Sequence, residues 1–418
     1  MNSGKINRRE FLGSAGTGSL AALATAMFPA EIRSAINNTE PMKITKIEGV
    51  RFKKGGFTWV RLHTNNGIVG VGETYPRTES EIGALKDASR LLLGKDPRDI
   101  ERIWRDMYAR ASFNVTGGAE MRIISAVNMA LWDILGKSLG IPVYRLLGGK
   151  AQQKLRVYNT YTDYWRINNM TMDQDTEKIT RFLLDHGIPA IKIYPYEVVG
   201  RKTGGTYISP VDIDNCLDWV KRIRDTAGKQ MEICIDTMCR WNLPCAMKIA
   251  HSLEPYDIMF IEDMLLPDNA QSYSVMCRET SIPVCHSERL ATRYGFREMF
   301  EAKAIDIVMY DLGWVGGISE AKKISDMADT YYIPTAPHMC IGPAQWLSII
   351  HTATALTNFF IMESGWHFWH ETYPYYMKDV PGPVDGFITA PEKPGLGLEV
   401  RPEIFDDGEA VIVPIAEI

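Results

Sequence analysis

Three acidic residues at a steady interval decide the fold: Asp236 in EICIDTMCRW (232–241), Glu262 in MFIEDMLLP (259–267) and Glu288 in PVCHSERLA (283–291). Each acid closes a short apolar run and opens a polar stretch. The interval, roughly 26 residues, is what one strand-plus-helix unit of a (β/α) barrel requires. Equivalent positions on successive barrel strands face the same mouth, so we expect the three carboxylates to converge there.

Carboxylates that converge repel one another, and removal from water strengthens the repulsion. A hard divalent cation relieves it, and a set of ligands made only of oxygen suits Mg²⁺. The sequence therefore predicts a Mg²⁺ site formed by Asp236, Glu262 and Glu288. The alternative is three unrelated surface acids at strand ends.

The repeat continues beyond the three acids at similar intervals. Asp311 lies in MYDLGWVGGISEA, His338 in IPTAPHMCIGP and Glu363 in FFIMESGW, each after an apolar run. Asp311 and His338 would then lie on neighbouring strands. A carboxylate beside an imidazole fixes its tautomer and favours its charged form, so the pair predicts a general base.

With these residues in place, the sequence resembles the enolase superfamily, in particular its mandelate racemase-like branch, the mandelate racemase/muconate lactonizing enzyme family. The resemblance covers nearly all of the chain after Met42. SAVNMALWDILGKSLGIPVYRLLGG (125–149) looks like the end of the family's capping domain, and VGVGETYPR (69–77) like its early β-meander. The three acids match the family's metal ligands, the Asp311–His338 pair its dyad, and Glu363 its strand-eight glutamate.

This resemblance implies an α/β protein, a (β/α)7β modified TIM barrel with an α+β capping domain. It also implies bound Mg²⁺ and an enzyme in which His338 removes the α-proton of a carboxylate substrate. The metal would stabilise the resulting ene-diolate. A homo-oligomer is expected on the same ground.

One departure from the family concerns the second barrel strand, which reads GIPAIKIY (187–194). Relatives often carry Lys-x-Lys here, and Tyr194 takes the place of the second, usually catalytic lysine. Residues two apart share a strand face, so Lys192 and Tyr194 would both project into the mouth. A phenol with an ordinary pKa of about 10 is a poor base, although it can donate a proton. The alternative for Lys192 is a strand lysine that reaches solvent.

Candidate substrate-binding residues follow other strands. Arg240 and Arg289 could bind a substrate carboxylate or hydroxyl, since guanidinium groups bind carboxylates through two hydrogen bonds; the alternative is solvated loop arginines. Trp366 and His367 begin an aromatic stretch that could stack on sugar rings or donate a proton. A packed loop or a subunit interface explains that stretch equally well.

The chemistry of the dyad separates the candidate functions. Racemisation needs a base on each face of the substrate, whereas loss of water needs one base and one acid. His338, once protonated, or Tyr194 could supply the acid, so we predict a lyase, a dehydratase of a small sugar acid. The alternatives are an epimerase, racemase or cycloisomerase of a sugar acid, an anhydro sugar acid included. A candidate from another class is an exported binding protein that has lost turnover. The intact Asp311–His338 pair argues against it.

The N-terminal segment up to Ala30 predicts an export signal. Asn7-Arg8-Arg9-Glu10-Phe11-Leu12 precedes an Ala-, Gly- and Ser-rich stretch, the pattern of a twin-arginine signal, which predicts a periplasmic or otherwise exported protein. The stretch holds too few strongly apolar residues for a stable membrane anchor. No cysteine precedes Cys216, so we expect no lipid attachment through an N-terminal cysteine.

Composition and landmarks complete the expected organisation. The chain has 418 residues and 45% hydrophobic content, enough for a barrel and a second domain. A net charge of −5 with scattered basic residues indicates no nucleic-acid partner. The cysteines number seven, contain no CxxC pair and are expected to be buried and unpaired. The predicted segments are the signal (1–30), a linker (31–42), the capping domain (43–154), the barrel (155–384) and a C-terminal segment that returns to the cap (385–418).

Overall fold

A computed structural model describes residues 41–75, 79–110, 117–162, 164–339 and 342–418. The predicted export signal, the linker up to residue 40, and Cys340 lie outside the described residues. Residues 42–418 form one compact unit.

Within the ranges just given, no helix combines the length and the apolar character that crossing a bilayer would require.

An antiparallel sheet follows the described N-terminus. Its first three strands are β1 (Ile44–Phe52), β2 (Thr58–Thr64) and β3 (Val69–Thr74). The last strand of the chain, Ala410–Glu417, pairs with the free edge of β1. The C-terminus therefore completes the N-terminal sheet.

Four helices follow the first three strands: α1 (Glu79–Leu92), α2 (Ile100–Arg110), α3 (Gly118–Leu139) and α4 (Val143–Leu146). Of these, α1 and α3 pack on the sheet. Two glycines of β3 let α3 lie directly on the strand. A Cβ on Gly72 would stand 1.7 Å from the carbonyl oxygen of Ala126, and one on Gly70 would stand 2.2 Å from that of Ala130. The VGVGE segment is thus a packing motif as well as a strand.

A second sheet consists of parallel strands in chain order: β4 (Leu155–Thr160), β5 (Ala190–Ile193), β6 (Glu232–Asp236), β7 (Phe260–Glu262), β8 (Val284–His286), β9 (Ile307–Val308) and β10 (Met362–Ser364). β10 pairs with β4. Between β9 and β10, Thr335 forms parallel bridges to Val308 on one side and to Phe359 on the other. The parallel backbone therefore closes into a ring, which confirms the predicted α/β barrel with a separate antiparallel cap.

Helices and short elements connect the strands and complete the chain. The helices are α5 (Met172–Asp185), α6 (Glu197–Thr203), α7 (Pro210–Cys216), α8 (Asp218–Ala227), α9 (Leu243–Leu253), α10 (Ala270–Glu279), α11 (Thr292–Glu301), α12 (Leu312–Val315), α13 (Gly317–Asp329), α14 (Pro343–Thr354), α15 (Tyr373–Tyr376) and α16 (Glu403–Asp406). Single turns of 3₁₀ or π helix are Gly228–Gln230, Glu254–Tyr256 and His367–Thr372. The remaining strands are β11 (Met377–Lys378), β12 (Phe387–Ile388), β13 (Glu399–Val400) and β14 (Ala410–Glu417).

The interior of the barrel is filled by buried side chains contributed by its successive strands: Tyr158, Ala190, Cys234, Phe260, Cys285, Ile307, Met309, Ala336 and Ile361. The six cysteines that the structure describes are unpaired, as the sequence predicts. Polar side chains begin at the carboxyl ends of the strands, directly above this apolar layer. The domain boundaries at residues 154 and 384 stay predictions.

Candidate active site

The three predicted metal ligands lie at the carboxyl ends of neighbouring strands. Asp236 ends β6 and Glu262 ends β7, where the two residues are direct partners in the parallel register. Glu288 follows shortly after the end of β8. All three carboxylates are buried. Burial, and then the negative charge of Glu288, raise the pKa of Asp236 against the opposing effect of Lys192.

Lys192 lies among these acids and has no exposed surface. Its Nζ is 2.7 Å from Glu262 Oε1, 2.9 Å from Glu363 Oε1 and 3.6 Å from Asp236 Oδ2. Burial alone would lower the pKa of Lys192, but Glu262 and Glu363 outweigh it and raise the pKa well above its ordinary value. Lys192 therefore does not reach solvent and holds a positive charge between the acids.

Asp311 and His338 form the predicted pair. Nδ1 of His338 is 2.7 Å from Asp311 Oδ2, and the backbones of the two residues are joined by a parallel bridge. Asp311 Oδ1 accepts hydrogen bonds from the Gly313 amide and from Gln345 Nε2, both at 2.7 Å. Because these two donors fix the carboxylate, it can hold the imidazole in one orientation with Nε2 towards the mouth.

Nε2 of His338 lies 2.9 Å from Glu288 Oε2 and 3.7 Å from Glu363 Oε2. Burial alone would lower the pKa of His338. Glu288, Glu363 and Asp311 outweigh burial and raise that pKa well above its ordinary value. Although burial opposes ionisation of Glu288, the same contact holds the pKa of this carboxyl at about 2. The imidazole is thus charged while Glu288 is its partner.

Glu363 on β10 completes the polar floor of the mouth. Its Oε1 accepts a hydrogen bond from Thr160 Oγ1, and its Oε2 accepts one from the Met339 amide at 2.9 Å. Burial opposes ionisation, but Lys192 and His338 lower the pKa of this carboxyl below its ordinary value. Glu363 therefore contributes negative charge between the two candidate proton-transfer groups.

Tyr194 directly follows β5 and lines the same cavity as His338. Around the ring of strands, β10 and β4 lie between β5 and the segment that carries His338. Its ring centre is 5.8 Å from Lys192 Nζ. Burial raises the pKa of the Tyr194 phenol well above its ordinary value; Lys192 opposes this and Asp236 adds to it. The phenol is therefore protonated near neutral pH, where it can donate a proton but not accept one.

The donor chemistry of the three acids fits a hard divalent cation. All their donors are oxygen, and two of the carboxylates already hold cationic groups: Lys192 Nζ at Glu262 and the imidazole of His338 at Glu288. As they stand, no three His, Cys, Asp or Glu side chains among the described residues are arranged to hold a metal ion. Metal binding would therefore require Glu262 and Glu288 to turn from these partners.

A cavity of about 620 Å³ opens above this floor. Its inner lining includes Asp236, Glu288, His338 and Glu363, and Arg289 also lies on its wall. The guanidinium Nε of Arg289 is 3.5 Å from Glu288 Oε1. Arg289 is thus the predicted arginine that the structure brings to the candidate site.

Three other predicted substrate-binding residues lie outside the lining of this cavity. Arg240 Nη2 is 3.5 Å from Glu197 Oε1, and it is Glu197 that lines the cavity. Trp366 packs against neighbouring aromatic rings, and His367 Nδ1 lies 3.0 Å from Glu371. The structure therefore places these three away from the surface that a substrate in the cavity would contact.

Sequence reasoning missed several residues that shape the site. Asp263 is buried beside Glu262, accepts a hydrogen bond from the Ser287 amide at 3.1 Å, and has a backbone φ of 45°. Strand alternation places it on the strand face opposite Glu262, and its backbone lies in the left-handed region, which the sequence does not predict. Burial and the charges of Glu288 and Asp236 raise the pKa of Asp263 to about 7.

Glu73 is a second buried acid, contributed by β3. Its Oε2 accepts hydrogen bonds from Trp59 Nε1 at 3.0 Å and from the Ala344 amide at 3.1 Å, at the start of α14. Burial raises the pKa of Glu73 to about 8. The same helix, α14, carries Gln345, whose side chain donates a hydrogen bond to Asp311. One helix therefore contacts both Glu73 of the capping domain and the Asp311–His338 pair. The VGVGETYPR segment predicts a strand at this position, but nothing in it predicts that Glu73 contacts the start of α14.

Two family models match the chain. The N-terminal domain of the mandelate racemase/muconate lactonizing enzyme family matches residues 31–148, and the enolase C-terminal domain-like family matches residues 174–404. The chain belongs to the enolase superfamily. This confirms the family resemblance that was drawn from the spaced acids, the Asp311–His338 pair and the end of the capping domain. The protein is an enzyme of this superfamily.

Curated relatives cover most of the chain. D-galactonate dehydratase of Variovorax paradoxus is 32% identical over 371 residues, which are 87% of this chain and 93% of that protein. D-galactonate dehydratase of Pectobacterium atrosepticum is 32% identical over 372 residues, with the same two shares.

Solved structures of the superfamily share the fold. An enolase of the mandelate racemase subgroup from Agrobacterium tumefaciens superposes with a TM-score of 0.83 at 34% identity, over 90% of this chain and 99% of that one. A member of the enolase superfamily from Salmonella Typhimurium gives a TM-score of 0.84 at 27% identity, over 89% of this chain and 100% of that one.

Proposed function

We propose that this protein is a Mg²⁺-dependent dehydratase of a sugar acid. The observation that carries the proposal is the asymmetry of the mouth. One side presents an imidazole held by a carboxylate at 2.7 Å, and the other presents Tyr194, whose phenol stays protonated. One base and one acid suit loss of water, whereas racemisation requires a base on each side. The D-galactonate dehydratases among the relatives support the same reaction class.

Asp236, Glu262 and Glu288 are the residues that would hold Mg²⁺. The chemistry supplied by the bound ion would be Lewis-acid stabilisation of the negative charge that develops on the substrate carboxylate. Lys192 Nζ also lies 2.9 Å from Glu363 Oε1, so it would keep positive charge beside the ion. A carboxylate group of the substrate therefore belongs at this end of the cavity.

His338 would remove the α-proton through Nε2. In the described structure that nitrogen contacts Glu288, so the proton transfer requires Glu288 to be engaged elsewhere, as it would be in a metal-ligand role. Glu288 is the first of the neighbouring acids that raise the pKa of His338, so engagement of Glu288 elsewhere would lower that pKa. Asp311 keeps Nδ1 protonated and the ring oriented throughout.

Elimination then completes the reaction. The C2–H bond breaks and its proton passes to His338; the C3–O bond breaks as the electron pair forms the C2=C3 double bond. The leaving hydroxide takes a proton from Tyr194 or from the imidazolium of His338 and departs as water. The enol product takes up a proton at C3 and releases the proton of its C2 hydroxyl, which gives a 2-keto-3-deoxy acid. Where Tyr194 supplied the proton to the leaving group, the imidazolium of His338 loses its proton and the phenolate regains one through solvent, so atoms and charge balance.

The test of the proposed function is a panel of aldonic and aldaric acids incubated with the Mg²⁺-loaded protein. At least one acid is expected to give a 2-keto-3-deoxy product, detected by its reaction with semicarbazide. A panel in which one acid is only epimerised would favour an isomerase instead.

Tyr194→Phe separates these two reactions. We expect the variant to keep exchange of the substrate α-proton with solvent, because the phenol is not the base, and to lose turnover if it is the acid. NMR in D₂O measures the exchange, and product formation measures the turnover. Tyr161→Phe is the matched control, since this cavity-lining phenol donates to the Met170 carbonyl at 2.7 Å. Loss of exchange in Tyr194→Phe alone would make the phenolate a base and favour epimerisation.

We also propose that the protein is exported by the twin-arginine route, on the strength of Arg8 and Arg9 in the N-terminal motif. Replacing both arginines by lysine is expected to leave the precursor in the cytoplasm, as fractionation would show. Arg33→Lys is the matched control outside the pair. Normal export of the double variant would refute the twin-arginine route.

A further inference from the structure

We propose that the cavity accepts a sugar acid that carries a second sugar unit, with the reacting carboxylate at the floor and the second unit at the rim. The inference rests on the proposed function and names its substrate class. It depends on three observations: the length of the cavity from buried to exposed residues, the construction of the rim, and the aromatic side chains that the rim presents.

The lining of the cavity has two distinct ends. At the inner end His338 is 7% exposed and Glu363 is 2% exposed. At the outer end Tyr164 is 77% exposed and Val198 is 60% exposed, although both line the same cavity. Large apolar surfaces left open beside a polar floor are typical of a binding groove. A ligand anchored at the floor would have to extend past the floor to cover them.

The outer rim is built from segments that follow two successive barrel strands. Tyr164 follows β4, and Glu197 and Arg201 belong to α6 after β5; Arg240, which follows β6, lies outside the cavity lining. Arg201 is hydrogen-bonded to Glu197, and Arg240 Nη2 approaches the same Glu197 Oε1 at 3.5 Å. Glu197 is therefore held by charged partners before any ligand arrives, which limits the ordering cost of binding.

The aromatic side chains of the rim are also held in place. Trp165 packs against Phe368 with ring centres 4.6 Å apart, and Trp219 Nε1 donates to Asp173 at 2.9 Å. Both rings and that of Tyr164 line the cavity. Fixed aromatic faces bury the apolar faces of pyranose rings, while Glu197 offers a carboxylate to sugar hydroxyls. A sugar ring is the ligand chemistry that uses both features.

The volume supports a ligand longer than one acid. About 620 Å³ corresponds to roughly 20 water molecules at roughly 30 Å³ each. A six-carbon aldonic acid has fewer non-hydrogen atoms than that, and bonded atoms occupy less space than separate waters. By volume, such an acid fills only part of the cavity, and an acid extended by one pyranose ring fills more of it.

The experiment compares D-gluconate and D-galactonate with the same acids that carry a galactosyl unit at O4 or O6. Each acid is titrated into the Mg²⁺-loaded wild-type protein by calorimetry, and each is assayed for α-proton exchange in D₂O. We expect at least one glycosyl acid to bind roughly tenfold more tightly than its free parent. Equal or weaker binding of every glycosyl acid overturns the proposal.

Variants at the rim locate the effect. Tyr164→Ala and Trp219→Ala are expected to lower the preference for the glycosyl acid by roughly fivefold to tenfold. Tyr207→Ala is the matched control, because Tyr207 is an exposed tyrosine between α6 and α7 that does not line the cavity. An unchanged preference in both rim variants overturns the proposal.

Two further outcomes are informative. If Tyr164→Ala dissociates a homo-oligomer and leaves the preference unchanged, the rim is an interface between copies of the chain and the proposal fails. If the glycosyl acids bind preferentially but no acid exchanges its α-proton, the extended site stands and the proposed dehydration fails. Binding and exchange therefore separate the failure of this inference from the failure of the proposed function.

Discussion

Replacing His338 by Asn is expected to abolish exchange of the substrate α-proton and all turnover. A general base contributes about 10²–10⁴-fold, and Tyr194, the candidate across the mouth, stays protonated and cannot replace it. The fold should persist, because Asn can still hydrogen-bond to Asp311. His251→Asn is the matched control, since His251 lies on the outer helix α9 and contacts the Glu279 carbonyl.

Asp311→Asn extends the same prediction. The amide keeps the shape of the side chain but removes the charge that raises the pKa of His338 and fixes its tautomer. We expect exchange to fall strongly without vanishing. Activity close to that of the wild type in either variant would mean that His338 is not the base.

Glu262→Gln is expected to remove activity and to weaken Mg²⁺ binding. Glu262 is fully buried, is the direct register partner of Asp236, and holds Lys192 Nζ at 2.7 Å. The substitution removes one of the three proposed anionic oxygen ligands while it preserves side-chain volume. Calorimetric titration with MgCl₂ measures the affinity, and circular dichroism checks the fold.

The control for the metal is Glu301→Gln, which changes the same residue type on the exposed surface of α11. It should bind Mg²⁺ as the wild type does. An unchanged Mg²⁺ affinity in Glu262→Gln would mean that Glu262 is not a metal ligand, and it would contradict the proposed site of three carboxylates.

Much of the architecture follows from chain periodicity. The interval between Asp236, Glu262 and Glu288 equals one strand and one helix, and the parallel register places the first two side by side. Strand ends in a closed barrel must meet at one mouth, so the order along the chain also predicts that Asp311 and His338 are neighbours. The superfamily and the fold class were therefore accessible from sequence.

The loops were not accessible in the same way. Spacing places Arg240 after the end of a strand but does not show where its side chain points. In the structure Arg240 contacts Glu197 and lies outside the cavity lining. Asp263 lies in a left-handed backbone turn that spacing does not predict, and Lys192 contacts three acids from a fully buried position. Backbone turns and tertiary burial of this kind depend on contacts far apart in sequence.

The proposed chemistry depends above all on His338 as the sole base that removes the α-proton of a sugar acid. The most direct measurement is ¹H NMR of a turned-over or binding acid in D₂O with Mg²⁺, using wild type, Tyr194→Phe and His338→Asn in parallel. We predict loss of the C2 proton signal with wild type and with Tyr194→Phe, and full retention with His338→Asn. Exchange that survives in His338→Asn and disappears in Tyr194→Phe would contradict the assignment.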